Sequence, residues 1–202
     1  TKHKLNQYGI NKEKMFEKYL LINNEIWGLY DQNLITKEEL RNYRFKKLLS
    51  QFNVINNDLA TKLETEFLAT CPKQGNLLPF AEELVKISKT KFNICIITNG
   101  FQETQELKVN HSNLKYYFDL IFTSESTKHK KPDINFFNHV LENLKTSKEQ
   151  CLVIGDNPHT DIQGAKNAGI DSAWINTQKF PKNTTSTYYF NEIEGLLRIL
   201  KT

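Results

Sequence analysis

Two aspartates five residues apart, Asp156 and Asp161, close the stretch Cys151-Leu-Val-Ile-Gly-Asp-Asn-Pro-His-Thr-Asp161. Its apolar run reads as a short buried strand. Gly155 permits the sharp turn that follows, and a helix is expected from about Thr160. Carboxylates at the carboxyl end of a buried α/β strand suit a hard cation such as Mg²⁺, which takes oxygen ligands. Taken alone, the pair also fits a plainer role, with Asp156 ending the strand and Asp161 placed in a first helical turn where the macrodipole favours negative charge.

Two further stretches carry complementary chemistry. In Thr98-Asn99-Gly100 the threonine offers a hydroxyl, and the amides of Asn99 and Gly100 can approach an anion closely because Gly100 has no side chain. Lys131 supplies a positive charge, and Pro132 restricts the backbone just after it. Each alone also fits an ordinary turn or a solvated loop. A hydroxyl, amides, an ammonium group and a metal together make a phosphate site.

These residues need elements that bring them to one edge. From residue 75 the pattern alternates: a helix at about 79–89, a strand at 92–97, a helix at 102–110, a strand at 118–123, a helix at 135–143, the Cys151 strand, a helix at 160–168 closed by Gly169, a strand at 172–175, a final strand near 188–190 and a helix at 192–200. Strands alternating with helices imply a parallel sheet with helices on both faces. In such a sheet the loops after the strands converge on one edge, where ligands bind.

Residues 1–74 carry helical signals instead. Ile10, Met15, Phe16, Tyr19, Leu20, Ile22, Ile26, Trp27 and Tyr30 recur mostly at three- and four-residue steps, with Asn11 as the cap. Thr36-Lys-Glu-Glu39 has the form of a capping box, followed by Leu40, Tyr43, Arg44, Lys47 and Leu48 on one face. A third helix is expected over 57–69, and Trp27 is assigned to the bundle core. Cys71–Gly75 reads as a linker to the second domain, 75–202.

The totals narrow the class. No apolar run approaches the roughly 18 to 20 residues a membrane span needs, and no secretory signal is visible. Only three of the 27 basic residues are Arg, and they are spread along the chain, so the charge of +4 reads as solvated surface rather than a nucleic-acid footprint. Cys71, Cys95 and Cys151 have no metal-like spacing and form no disulfide framework, which points to the cytoplasm.

The three stretches resemble three motifs of the haloacid dehalogenase superfamily of Asp-nucleophile phosphohydrolases. Ile96-Ile-Thr-Asn-Gly100 is similar to the second motif, Lys131-Pro132 to the third, and Gly155-Asp-Asn-Pro-His-Thr-Asp161 to the fourth. The resemblance implies a Rossmann-like doubly wound core with a small all-helical cap. By it, Thr98 and Lys131 are catalytic, Thr98, Asn99, Gly100 and Lys131 bind phosphate, and Asp156 and Asp161 hold or position Mg²⁺. Trp27-Gly-Leu-Tyr30, Leu34-Ile-Thr-Lys-Glu-Glu-Leu40 and Arg44-Phe45 are similar to the pyrimidine nucleoside 5′-monophosphatase subfamily. The implied substrate is a small phosphorylated metabolite, a nucleoside monophosphate first, with no nucleic-acid or membrane partner and a monomer or homodimer as the working form.

The family's first motif, an apolar strand ending Asp-x-Asp that carries the nucleophile and the general acid/base, is not among these residues. It is expected just upstream of Thr1; the only Met is Met15. Two other readings remain. One is a 2-haloacid dehalogenase on the same fold, for which the acidic pair would be superfluous. The other is a catalytically inactive protein that uses the phosphate pocket to sense a ligand.

Overall fold

Asn11 caps the first long helix, its side chain accepting from the Lys14 amide at 2.9 Å. The computed structural model describes residues 5–182 and 185–201. It divides into two compact units, one ending at Cys71 and the other beginning at Pro72.

The first unit is helical: α1 (Lys12–Asp31), α2 (Lys37–Ser50) and α3 (Asn57–Thr70). The expected capping box forms at α2, with the Glu39 amide donating to the Thr36 hydroxyl at 3.2 Å and the Thr36 amide to the Glu39 carboxylate at 2.8 Å. Ile22, Ile26 and Tyr30 of α1, Leu40, Phe45, Leu48 and Leu49 of α2, and Leu59 and Ala60 of α3 are buried, with α2 packed against both α1 and α3. Trp27 is not among them. It is half-buried and meets Tyr30 edge-on at 5.6 Å, because the buried stripe of α1 runs through positions 22, 26 and 30 and carries Trp27 to its margin.

Arg44 lies with Leu40 and Leu48 on the expected face of α2 and is interior, 4% exposed, while Tyr43, placed on that face by the sequence reading, turns outward. Its Nε donates to Glu64 Oε2 at 3.1 Å, its Nη2 to Glu64 Oε1, and its guanidinium lies 4.4 Å from the centre of the Phe67 ring. A charge enters this interior only because a carboxylate and an aromatic face meet it there. Tyr19, stacked on Phe45 and tilted against Phe67 beside Arg44, has its phenol pushed up to about 12 by burial.

The second unit carries α4 (Ala81–Lys91), β1 (Cys95–Thr98), α5 (Gln102–Asn110), β2 (Leu120–Thr123), α6 (Ser124–Thr127), α7 (Ile134–Leu144), β3 (Leu152–Gly155), α8 (Gln163–Ala168), β4 (Asp171–Ile175), β5 (Tyr188–Phe190) and α9 (Ile193–Lys201). All strand pairs are parallel, in two sheets: β1 beside β2, and β4 between β3 and β5. Successive strand residues face opposite sides. Val153 joins Phe122, Phe136, Phe137, Val140, Ala165 and Ile170 on one side. Ala173 and Ile175 join Leu84, Leu196 and Leu197 on the other. Helices α7 and α8 thus supply one cover and α4 and α9 the other, the doubly wound layering the alternation predicts.

Among the described residues β1 and β3 share no ladder, although Cys95 and Ile97 of β1 pack on the same cluster as Val153 of β3. Each therefore keeps one edge open. The Cys151 strand is accordingly less buried than its composition predicts, with Leu152 40% and Ile154 44% exposed. None of the helices is long and apolar enough to cross a membrane, among the described residues.

Candidate active site

Thr98 ends β1, and the chain turns at once into Asn99 and Gly100. The Thr98 hydroxyl accepts from the Gly100 amide at 3.0 Å and from Gln105 Nε2, on α5, at 3.1 Å. Gly100 is required for this closeness: a Cβ there would lie 2.3 Å from Gln105 Nε2.

The Asn99 side chain is buried. It grips the main chain of Lys131 from both sides, Nδ2 donating to Lys131 O at 2.9 Å and Oδ1 accepting from Lys131 N at 2.8 Å. Ser124 Oγ in turn donates to Asn99 O at 3.0 Å. Lys131 is therefore fixed in place by a residue 32 positions earlier, and the Lys131–Pro132 peptide is cis. The ammonium reaches inward, donating to Ile97 O at 3.2 Å and to Asp161 Oδ1 at 2.6 Å. The two charged side chains are only 8% and 10% exposed, so the pair is a buried one whose members depend on each other.

Asp161 belongs to a tight π-helical turn, Pro158–Ile162, capped by Asn157. Its Oδ2 accepts from the Asn157 amide at 3.1 Å, and its Oδ1 also takes the Thr160 hydroxyl at 3.4 Å. Gly155 makes the room: a Cβ at that position would meet the Asp161 carboxylate at 2.4 to 2.6 Å. Asp161 is thus a buried anchor rather than an ornament of the first helical turn. Asp156 differs. Its carboxylate is exposed and accepts from Gln178 Nε2 at 2.9 Å, while its carbonyl is held by the indole of the fully buried Trp174 at 3.1 Å.

The structure brings Thr98, Asn99, Gly100, Lys131 and Asp161 together, with Asp156 beginning the turn that carries Asp161. The sequence reading gave Asn99 an anion-binding amide and did not foresee the grip of its side chain on Lys131. Gln105, Trp174 and Gln178 were likewise unassigned, since single polar or aromatic residues carry no motif. No group of three or more His, Cys, Asp or Glu suited to a metal occurs among the described residues. Mg²⁺ does not require one, because it is held by one or two carboxylates with waters and substrate oxygens completing its octahedron. The exposed Asp156 carboxylate fits such a ligand. Asp161, with both oxygens already accepting protein donors, fits a supporting position.

A sequence profile of haloacid dehalogenase-like hydrolases matches residues 1–175. The chain belongs to that family. YfnB of Bacillus subtilis, a HAD-hydrolase, is 31% identical over 92% of this chain and 80% of its own. The crystal structure of that hydrolase bound to magnesium superposes with a TM-score of 0.87, at 30% identity over 98% of this chain and 87% of the other. The pyrimidine 5′-nucleotidase PynA of Streptococcus pneumoniae is 30% identical over 97% of this chain and 84% of its own. The pyrimidine 5′-nucleotidase YjjG of Escherichia coli is 29% identical over 92% and 82%. This haloacid dehalogenase-like hydrolase is therefore an enzyme of the phosphatase-like kind that its motifs predict, and its α/β fold is the family's.

Proposed function

We propose that this hydrolase is a Mg²⁺-dependent phosphomonoesterase that releases phosphate from small metabolites, nucleoside 5′-monophosphates foremost. The observation that carries the reading is the Lys131 ammonium, buried between Asp161 and the carbonyl of Ile97, the residue before Thr98. An ammonium brought to the end of a parallel strand that carries a hydroxyl matches the charge and the donors that a phosphoryl group presents and needs. The 5′-nucleotidase relatives support the substrate class.

In this reading the nucleophilic aspartate of the family sits on a strand that pairs between β1 and β3, the two edges left open over a shared apolar cluster. Lys131 neutralises the negative charge gathered where nucleophile and phosphate meet. Thr98 holds a phosphoryl oxygen, and Asn99 keeps Lys131 from swinging away. Asp161 accepts from the Lys131 ammonium and holds it in place. Mg²⁺, held by Asp156 and supported by Asp161, supplies charge stabilisation to the phosphoryl oxygens when bound. Residues 1–74 form the cap that selects the leaving group, and 75–202 the catalytic core.

The test is turnover of nucleoside 5′-monophosphates and p-nitrophenyl phosphate by the intact protein, with and without Mg²⁺, beside chloride release from 2-chloropropionate. Phosphate release that needs Mg²⁺ is the expected result. Metal-independent chloride release without phosphatase activity would establish the dehalogenase reading in its place, and binding of phosphate without any turnover would establish the ligand sensor.

A further inference from the structure

Gln105 has no place in the motifs, yet its side chain ends on the atom that matters most at the end of β1. We propose that Gln105 is a positioning residue that orients the Thr98 hydroxyl, so that its proton points outward as a donor to a phosphoryl oxygen. The inference deepens the phosphatase reading and rests on it.

A threonine hydroxyl has one proton to give and two lone pairs to fill. At Thr98 both acceptor positions are taken by N–H donors, the Gly100 amide at 3.0 Å and the Gln105 side-chain amide at 3.1 Å. Neither of these partners can accept the hydroxyl proton. The proton is left to an acceptor outside this pair, and on this edge of the sheet the acceptor the site is built for is a phosphoryl oxygen. Without Gln105 one lone pair would be open, and the hydroxyl could rotate to serve water instead. A donor aimed before the substrate arrives needs no reorganisation during reaction.

The geometry is set from three sides. Gln105 lies one turn into α5, on a helix none of whose residues is buried, so the core does not dictate its side chain. It is half-buried and reaches back seven residues to Thr98. The space it enters exists because residue 100 is glycine, as a Cβ there would lie 2.3 Å from its Nε2 and 3.1 Å from Thr98 Oγ1. The same glycine thus supplies one donor and clears the way for the other.

A double-mutant cycle tests this in the intact protein, with p-nitrophenyl phosphate as substrate and inorganic phosphate as competing ligand. Gln105→Met keeps the length and removes the donor. It is expected to lower kcat/KM about tenfold, the scale of one neutral hydrogen bond, and to weaken phosphate inhibition, with the melting temperature nearly unchanged. Thr98→Val should lose about a hundredfold, as loss of one transition-state donor does. In the Thr98→Val background Gln105→Met should cost nothing more, whereas in a Thr98→Ser background, where the hydroxyl returns, it should cost its full factor. Equal costs of Gln105→Met in the Val and Ser backgrounds, or no cost beside a crippled Thr98→Val, would overturn the inference while leaving the phosphatase reading standing. A fully active Thr98→Val would overturn the inference together with the role given to Thr98, whereas absence of phosphate release from the parent protein would overturn the phosphatase reading itself.

Discussion

Lys131 and Asp161 form one unit at the residue scale, and Asp156 is separate from it. The ammonium is enclosed and tied to Ile97 O and Asp161, so Asp161→Ala leaves a buried positive charge without its partner. That substitution should lower the stability of the folded protein by about 3 to 5 kcal/mol, measured by urea unfolding. Asp156 is exposed, and Asp156→Asn should stay within about 0.5 kcal/mol of the parent while losing Mg²⁺-dependent turnover. Equal stability losses at the two positions would contradict the division of labour drawn for them. Lys131→Ala should reduce turnover by about a hundredfold or more. The exposed Lys128 should tolerate the same change, and kinetics on the two variants separate a specific charge from a general one.

At the scale of elements, helix α2 begins on a pair of reciprocal bonds between Thr36 and Glu39. The Glu39 carboxyl is held below its ordinary value of 4.5, first by the Thr36 amide and then by the Thr36 hydroxyl. A carboxyl with a depressed folded-state pKa stabilises above its unfolded value and loses that contribution as pH falls through the folded one. The denaturation midpoint of the parent should therefore drop on acidification from pH 5 downward more than that of Glu39→Gln, which has no charge to lose. Thr36→Ala should cost about 1 kcal/mol at neutral pH. These caps were legible in the sequence, because a capping box is written within four residues. The helix over Gln102–Asn110 and the strand at Tyr188–Phe190 were also legible, from periodicity and flanking turn residues. The interior place of Arg44 was not. Its position on the stripe was visible, but a guanidinium can stay there only with Glu64, 20 residues further on, to receive it. The grip of Asn99 on Lys131 was hidden for the same reason, at a separation of 32 residues.

For the whole molecule, the alternation of strands and helices was enough to predict parallel ladders covered on both faces. It could not show that the sheets come as two, since strand composition reveals burial and not which neighbour a strand pairs with. The two sheets are joined through side chains. Phe136, fully buried, belongs to the cluster that takes Phe122 and Ile97 from one sheet and Val153 from the other. Phe136→Ala should therefore cost about 3 to 5 kcal/mol. Its effect on near-ultraviolet circular dichroism should register loosening around both sheets; a loss well under that range would mean the sheets stand independently.

The open edges of β1 and β3 also bear on how the protein behaves at high concentration. A row of unpaired amides and carbonyls recruits any extended segment that meets it, including one from another copy. Leu152 and Ile154, 40% and 44% exposed on β3, add an apolar incentive. Where these edges, unpaired among the described residues, are open, self-association through them is expected as concentration rises, and sedimentation velocity would register the growth. A short apolar peptide able to lie between the two strands should suppress it. Substituting Lys for Ile154, which places a charge beside the edge, should do the same without any peptide.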